Sequence, residues 1–253
     1  MCELFAVNAK EPVEVGEYLR EFFQHCELNP HGWGVSWRDG DSIELHKEPV
    51  RATDSPFLAE FLNGPVARRH LLAHIRLATI GCVSKENCHP LVESDQYGCE
   101  WMMIHNGTLF NDALTTGYSG TSDSVRVIQF LMDLLDAADM RYGRDLDFEE
   151  RFETLNCAMA MLSNGNKLNV ILDDGECLYV HTNTMANTLF VKQEPGAALF
   201  STHPLDESPH WAPVPTARFQ AYRDGELVRQ APPHPNVFVG CPIEDYLLLQ
   251  TSA

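Results

Sequence analysis

Met1-Cys2-Glu3-Leu4-Phe5-Ala6-Val7 opens the chain, and a cysteine in second position running straight into an apolar, strand-like segment is an odd place for a structural thiol. Read blandly, it is a small residue after the initiator Met, at a chain end where mobility is the rule. Read chemically, it requires the loss of Met1. Cys2 would then carry a thiol and a free α-amine on one residue. An α-amine titrates near pH ~8 and a free thiol near ~8.5, so the amine can take the thiol proton at neutral pH. A side-chain nucleophile activated by its own terminal amine is an established scheme. Which reading holds depends on what else the chain offers.

Composition bounds the answer. At 253 residues the chain is long enough to bury a substantial core. Its 44% hydrophobic and 21% charged residues are those of an ordinary soluble globular protein. The formal charge of -18 disfavours nucleic acid and anionic membrane as partners, because both need basic patches. No apolar run approaches the ~20 residues of a membrane span and no basic leader precedes one, so a cytoplasmic location is expected. The eight cysteines, at 2, 26, 82, 88, 99, 157, 177 and 241, are scattered without a C-x-x-C pair. They read as free thiols in a reducing compartment, not as a zinc site. The adjacent Cys88 and His89 are too little for a metal, and no cofactor is expected. With no linker, repeat or low-complexity tract, residues 2–253 read as a single domain.

Local patterns then place the elements. Val15, Tyr18, Leu19, Phe22 and Phe23 recur at helical spacing, which puts an amphipathic helix over residues 12–26 with Pro12 in its first turn. Asn29-Pro30-His31-Gly32-Trp33-Gly34 turns into a strand, its glycines fitting either close backbone packing or a hairpin anchored by Trp33. Asp39-Gly40-Asp41 is a hairpin turn into a strand over 42–47, and Asp54 or Ser55 can cap a short helix ending at Leu62. Leu71-Leu72-Ala73-His74-Ile75-Arg76-Leu77-Ala78-Thr79 reads as a buried strand with His74 and Arg76 on one face by period two. Arg is almost never buried without a partner, so Arg76 should face a carboxylate, from the chain or from a ligand. The strand over 101–105 runs into Asn106-Gly107. That pair is either a tight turn or a pre-aimed donor pair, side-chain amide and backbone N–H, suited to an oxyanion. Thr121-Ser122-Asp123 opens the longest helical pattern, with Ser122 or Asp123 as N-cap and Val125, Ile128, Leu131, Met132 and Leu135 on one stripe. A short helix over 147–155 follows. Beyond it β-like runs alternate with turns, at 157–162, 168–172, 177–181, 189–192, 198–201, 217–223 and 226–229.

Met-Cys-Glu-Leu-Phe at 1–5, His-Gly-Trp-Gly at 31–34, His-Ile-Arg-Leu-Ala-Thr-Ile-Gly at 74–81, Asn-Cys-His-Pro at 87–90, His-Asn-Gly at 105–107 and Thr-Ser-Asp-Ser at 121–124 occur in that order. The succession resembles the class II glutamine amidotransferases, which are N-terminal-nucleophile enzymes, and is most similar to their small stand-alone type. Ser201-Thr202-His203-Pro204-Leu205-Asp206 with Trp211 is similar to that type's closing segment, so the resemblance spans nearly the whole chain. It implies an α+β fold of four layers, αββα, with two antiparallel sheets stacked between helices. By the resemblance, Cys2 is the nucleophile exposed by removal of Met1. Arg76 holds the α-carboxylate of glutamine, where a planar guanidinium gives bidentate recognition, and Asp123 receives the α-ammonium. Asn106 and Gly107 form the oxyanion hole, and Thr79 lines the same pocket. The implied reaction releases ammonia from glutamine through a γ-glutamyl thioester, and a synthase receiving the ammonia is the partner that chemistry allows. The same residues would grip the γ-glutamyl end of another amide, and a non-catalytic binding subunit could keep the fold; these alternatives stay open. Two positions depart from the family pattern: His31 stands where Asp is common before Gly-Trp-Gly, and Val125 where Glu often follows Asp-Ser. Neither carries assigned chemistry, so activity is expected to survive them.

Overall fold

In the structure, a computed structural model describing residues 2–40 and 42–240, the apolar start of the chain becomes the middle of a sheet. Met1, whose removal the chemical reading needs, Asp41 of the hairpin turn, and residues 241–253 with Cys241 lie outside the described residues. The first sheet is built from β1 (Glu3–Glu14), β2 (Trp33–Asp39), β3 (Ser42–Glu48), β4 (Ala67–Ile75), β9 (Phe190–Glu194), β10 (Ala197–Ser201) and β11 (Trp211–Pro213), in the order β11-β9-β10-β1-β4-β2-β3. The second contains β5 (Leu91–Ser94), β6 (Glu100–Thr108), β7 (Lys167–Asp173), β8 (Leu178–Thr182), β12 (Gln220–Arg223) and β13 (Glu226–Gln230), in the order β13-β12-β8-β7-β6-β5. Every pairing is antiparallel, with Leu4 opposite His74, and Phe5 between Ala73 and Ser201.

Alternation along the strands decides what each sheet face meets. On β1, Phe5, Val7 and Ala9 pack with Leu19 and Phe22 of α1 (Gly16–Gln24) and Leu58 of α2 (Pro56–Asn63). Leu4 and Ala6 point the other way and meet Met102, Ile104, Ile171 and Val180 of the second sheet. The outer face of that sheet, with Trp101, Met103, Val170 and Tyr179, packs under α3 (Asp123–Tyr142) and α4 (Phe148–Leu162) through Val127, Leu131, Phe152 and Leu155. At about 1.5–3 kcal/mol for each large side chain fully buried, these three apolar clusters dominate the stability. The arrangement is the four-layer αββα sandwich.

Two local expectations are corrected. Pro12 lies in β1 and not in a helix. The pairing of β1 with β4 lapses between Asn8 and Val13, and a residue without an N–H is tolerated at such a bulge; the helix begins only at Gly16. Residues 157–162, read as a strand, complete α4. Phe152, Leu155, Met159 and Leu162 are buried at helical spacing, and a capping box between Asp147 and Glu150 fixes the start of that helix. The short strands β5 and β11 carried no alternation strong enough to be foreseen. Ser55, one of the two caps considered, does cap α2 through a bond from Leu58 N–H.

Candidate active site

Cys2 shares the parity of Leu4 and Ala6, so its side chain is directed to the space between the sheets, at one end of the sandwich. The thiol is partly buried. Leu77 N–H donates to Cys2 Sγ at 3.3 Å, and the thiol in turn donates to the Leu77 carbonyl at 3.4 Å. Burial pushes the thiol pKa up, against the Leu77 hydrogen bond and the positive charge of Arg76, which pull it down. A thiol held this way is mostly protonated at neutral pH and needs a base to become a nucleophile.

Strand β4 ends at Ile75, and the next residues fold back as a loop around the Arg76 side chain. Its guanidinium donates to the carbonyls of Cys82 at 3.0 Å and Ile80 at 3.2 Å. The carboxylate expected to face it is not supplied by the described residues, among which Arg76 forms no ion pair. On the neighbouring strand, Asn106-Gly107 is not a turn, because β6 continues through both to Thr108, with Gly107 opposite Leu168. Asn106 Nδ2 is buried without a hydrogen-bond partner. Gly107 tolerates no side chain, since a Cβ there would strike the Lys167 carbonyl oxygen and His105 Nε2. At the start of α3, Ser122 is the N-cap and Asp123 the first helical residue. The buried Asp123 carboxylate accepts from Leu109 N–H at 3.1 Å and Ser124 N–H at 2.9 Å.

Cys2, Arg76, Thr79, Gly107 and Asp123 line one cleft with about 290 Å³ of empty space, part of it open to solvent. Asn106, next to Gly107, is buried and not on the wall. A wider groove between α3 and α4 is lined by Leu134, Tyr142, Cys157 and Met161 together with the carboxylates of Glu149, Glu150 and Glu153, and no cation stands among them. Among the described residues no cluster of His, Cys, Asp or Glu is arranged to hold a metal.

The cleft also contains groups that the sequence reading gave no role. Asn87 and His89 line it; both belong to the Asn-Cys-His-Pro run at 87–90, whose polar side chains are the signal that marks them. His105 lines it as well, with Nδ1 2.9 Å from Ser124 Oγ, and His74 donates from Nε2 to the His105 carbonyl at 3.2 Å. Burial pushes His74 down to about 3 and lowers His89 and His105 as well, so all three rings are neutral at pH 7. Lys167, buried opposite Thr108, has its amine pulled down by burial and partly restored by Cys2. Within the cleft, the permanent charges on the wall are therefore one cation at Arg76 and one anion at Asp123.

The four-layer sandwich is a fold that known proteins share. The glutamine phosphoribosylpyrophosphate amidotransferase of B. subtilis superposes with a TM-score of 0.66 at 17% identity, over 91% of this chain and 49% of that one. The present chain thus spans about half of that enzyme, and the likeness speaks for the fold alone. Residues 1–195 match the profile of the class-II glutamine amidotransferases. The chain belongs to that family. A Haemophilus influenzae protein carrying a glutamine amidotransferase name is 22% identical over 91% of this chain and 87% of its own length. The gamma-glutamyl-hercynylcysteine sulfoxide hydrolase of Mycolicibacterium smegmatis is 23% identical over 85% of this chain and 87% of that protein.

Proposed function

We propose that this protein hydrolyses a γ-glutamyl amide, in the first instance glutamine, with Cys2 as the nucleophile once Met1 is removed. The observation that carries the reading is the cleft wall: a thiol, one guanidinium and one carboxylate converge, and neither charged group is ion-paired to another described side chain. A free glutamyl group bears one anion and one cation at fixed separation, which one Arg and one Asp match. Arg76 takes the α-carboxylate and Asp123 the α-ammonium, and Thr79 lines the pocket between them. The carboxamide then projects toward Cys2. The α-amine of Cys2 takes the thiol proton, and the thiolate adds to the amide carbon. The oxyanion so formed accepts from Gly107 N–H on the cleft wall and from Asn106 Nδ2, which is buried beside it in the free protein and has to turn into the cleft as substrate binds. Collapse breaks the C–N bond, ammonia leaves with the proton carried by the α-ammonium, and water hydrolyses the γ-glutamyl thioester to free glutamate.

A second substrate is favoured by the M. smegmatis relative, whose name describes cleavage of a γ-glutamyl group from a larger molecule. The same Arg76 and Asp123 would hold the glutamyl end, with a bulkier leaving group directed outward. If glutamine is the substrate, a synthase partner takes up the ammonia; if a larger amide is, none is needed. The test is release of glutamate from a panel of γ-glutamyl amides, glutamine included, alongside intact mass. Loss of Met1 and turnover of at least one amide are expected, abolished in Cys2→Ala and reduced to a trace in Cys2→Ser, whose hydroxyl is far less acidic. Full turnover by the Ala variant, or a retained Met1 with no turnover at all, would move the protein to the non-catalytic reading.

A further inference from the structure

We infer that His31 is a positioning residue for the nucleophile: its imidazole fixes the peptide plane that Cys2 touches. The ladder between β2 and β4 runs one pair beyond the strands, with His31 N–H donating to the Arg76 carbonyl at 3.0 Å and Arg76 N–H to the Gly32 carbonyl at 2.8 Å. Directly past it, Ala78 N–H donates to His31 Nδ1 at 3.0 Å. That amide belongs to the same peptide unit as the Leu77 carbonyl, to which the Cys2 thiol donates. A trans peptide is planar, with its N–H and C=O pointing opposite ways. His31 and Cys2 therefore grip the two ends of one rigid plate. The preceding peptide unit supplies the Leu77 N–H that donates to Sγ, so a tilt of the plate also moves the donor that steadies the thiolate.

The rest of the loop is held from elsewhere. Arg76 grips Ile80 and Cys82, and Asn87 Nδ2 donates to the Cys82 carbonyl at 3.1 Å. These bonds secure the far half, and His31 secures the half that reaches Cys2. Accepting at Nδ1 requires the ring proton on Nε2, so the role needs an acceptor at this place and not a charge. Asn can supply one through its side-chain oxygen; Ala and Leu cannot.

The catalytic half of the inference rests on the proposed function, and its test is arranged so that the two can fail separately. Alkylation of Cys2 by iodoacetamide at fixed pH, followed by mass spectrometry of the Cys2 peptide, needs no substrate and distinguishes Cys2 from the exposed thiols of Cys82 and Cys157. Steady-state kinetics on whichever γ-glutamyl amide the wild type turns over give the second readout. His31→Ala and His31→Leu should slow alkylation and lower kcat roughly five- to tenfold, the scale of one lost buried hydrogen bond, with KM moving less. His31→Asn should recover to within about threefold of wild type because it restores an acceptor. Wild-type alkylation in the Ala and Leu variants, or an Asn variant no better than they are, overturns the inference. Should the Ala variant fail to fold, Leu, which fills more of the ring's space, against Asn makes the same comparison. A wild type that turns over no amide defeats the proposed function instead, and alkylation alone then decides the role of His31.

Discussion

Single residues at the cleft are distinguished by which of their polar atoms the protein leaves without a partner. Asn106 Nδ2 is buried and unpaired, a condition that costs about 1–3 kcal/mol in a folded chain. It is retained if the group serves a charge that develops only during reaction. Asn106→Ala should therefore lower kcat by about a hundredfold or more, with KM little changed, because the donor acts on the transition state. Steady-state kinetics decide this, and an unaltered kcat would make Asn106 a packing residue. Much of this set was legible in the sequence because its members are out of place: a thiol at residue 2, an Arg in an apolar run, an Asn-Gly at a strand's end. Leu77 was not legible. It acts through its backbone N–H and carbonyl, which every residue but Pro possesses, so no side-chain pattern marks it. Arg76 was half legible: its burial was foreseen, but its contacts with the Ile80 and Cys82 carbonyls arise from loop curvature that local pattern does not encode.

Elements bring these residues together, and the start of α3 separates a structural role from a binding one. Both Ser122 and Asp123 line the cleft, but Ser122 Oγ is engaged as the helix cap, accepting from Val125 N–H, whereas the Asp123 carboxylate is not used as the cap. Ser122→Ala should cost about 1 kcal/mol of stability, the usual price of a lost N-cap, and leave KM alone. Asp123→Asn should do the reverse, raising KM with little change in thermal midpoint; equal effects from both would return Asp123 to a helix-end role. A second junction ties the two sheets at the other end of β7 from Lys167. There Asp173 Oδ2 lies 2.5 Å from His70 Nδ1 of β4, and Arg38 Nε of β2 donates to Asp173 Oδ1 at 2.7 Å. Asp173 is fully buried, and His70 and Arg38 together hold its carboxyl below the usual range although burial works against them. Asp173→Ala leaves the Arg38 charge uncompensated and should cost about 3–5 kcal/mol, read by urea denaturation; a loss under 1 kcal/mol would mean that water or relaxation satisfies Arg38. Nothing in the sequence marked this triad, whose members are 135 and 103 residues from Asp173 along the chain. Long periodic elements such as α3 were readable from their stripe. Pro12 and residues 157–162 were misread because a bulge and a capping box outside the window overrode the local pattern.

Across the whole molecule, the response to acid follows from a set of buried neutral imidazoles. Burial pushes His74 and His181 down to about 3 and lowers His89 and His105 too; in an unfolded chain each would titrate near ~6.5. Between those values the unfolded state binds more protons than the folded one. Stability from these groups is therefore complete above about pH 6.5 and is lost as the pH falls toward 3. His25 has the opposite sign. Its hydrogen bond to Glu3 at 2.7 Å raises its pKa, so it adds stability in acid that fades as the pH rises through its folded value. Burial also raises the carboxyls of Asp139 and Asp174, which share that sign; against these stand the four buried rings. The depressed carboxyl of Asp173 adds its own loss only below about pH 4, where unfolded Asp takes up its proton. The formal charge of -18 works against the imidazoles, since neutralising carboxylates relieves surface repulsion, but surface charge is screened in moderate salt and buried rings are not. Each extra proton bound on unfolding contributes about 1.4 kcal/mol per pH unit, against a total stability on the order of 5–15 kcal/mol. Urea midpoints measured in moderate salt should thus fall clearly between pH 6.5 and about 5, before most carboxylates titrate. His181 isolates the cause, because its Nε2 on β8 pairs with Ser163 Oγ at the end of α4 at 3.1 Å and it does not line the Cys2 cleft. His181→Gln should lower the midpoint at pH 7.5 somewhat, flatten its pH dependence by up to about one proton, and leave turnover intact. A wild-type midpoint that stays level from pH 7.5 to 5, or a His181→Gln variant with the full wild-type slope, would show that the buried rings do not govern acid stability.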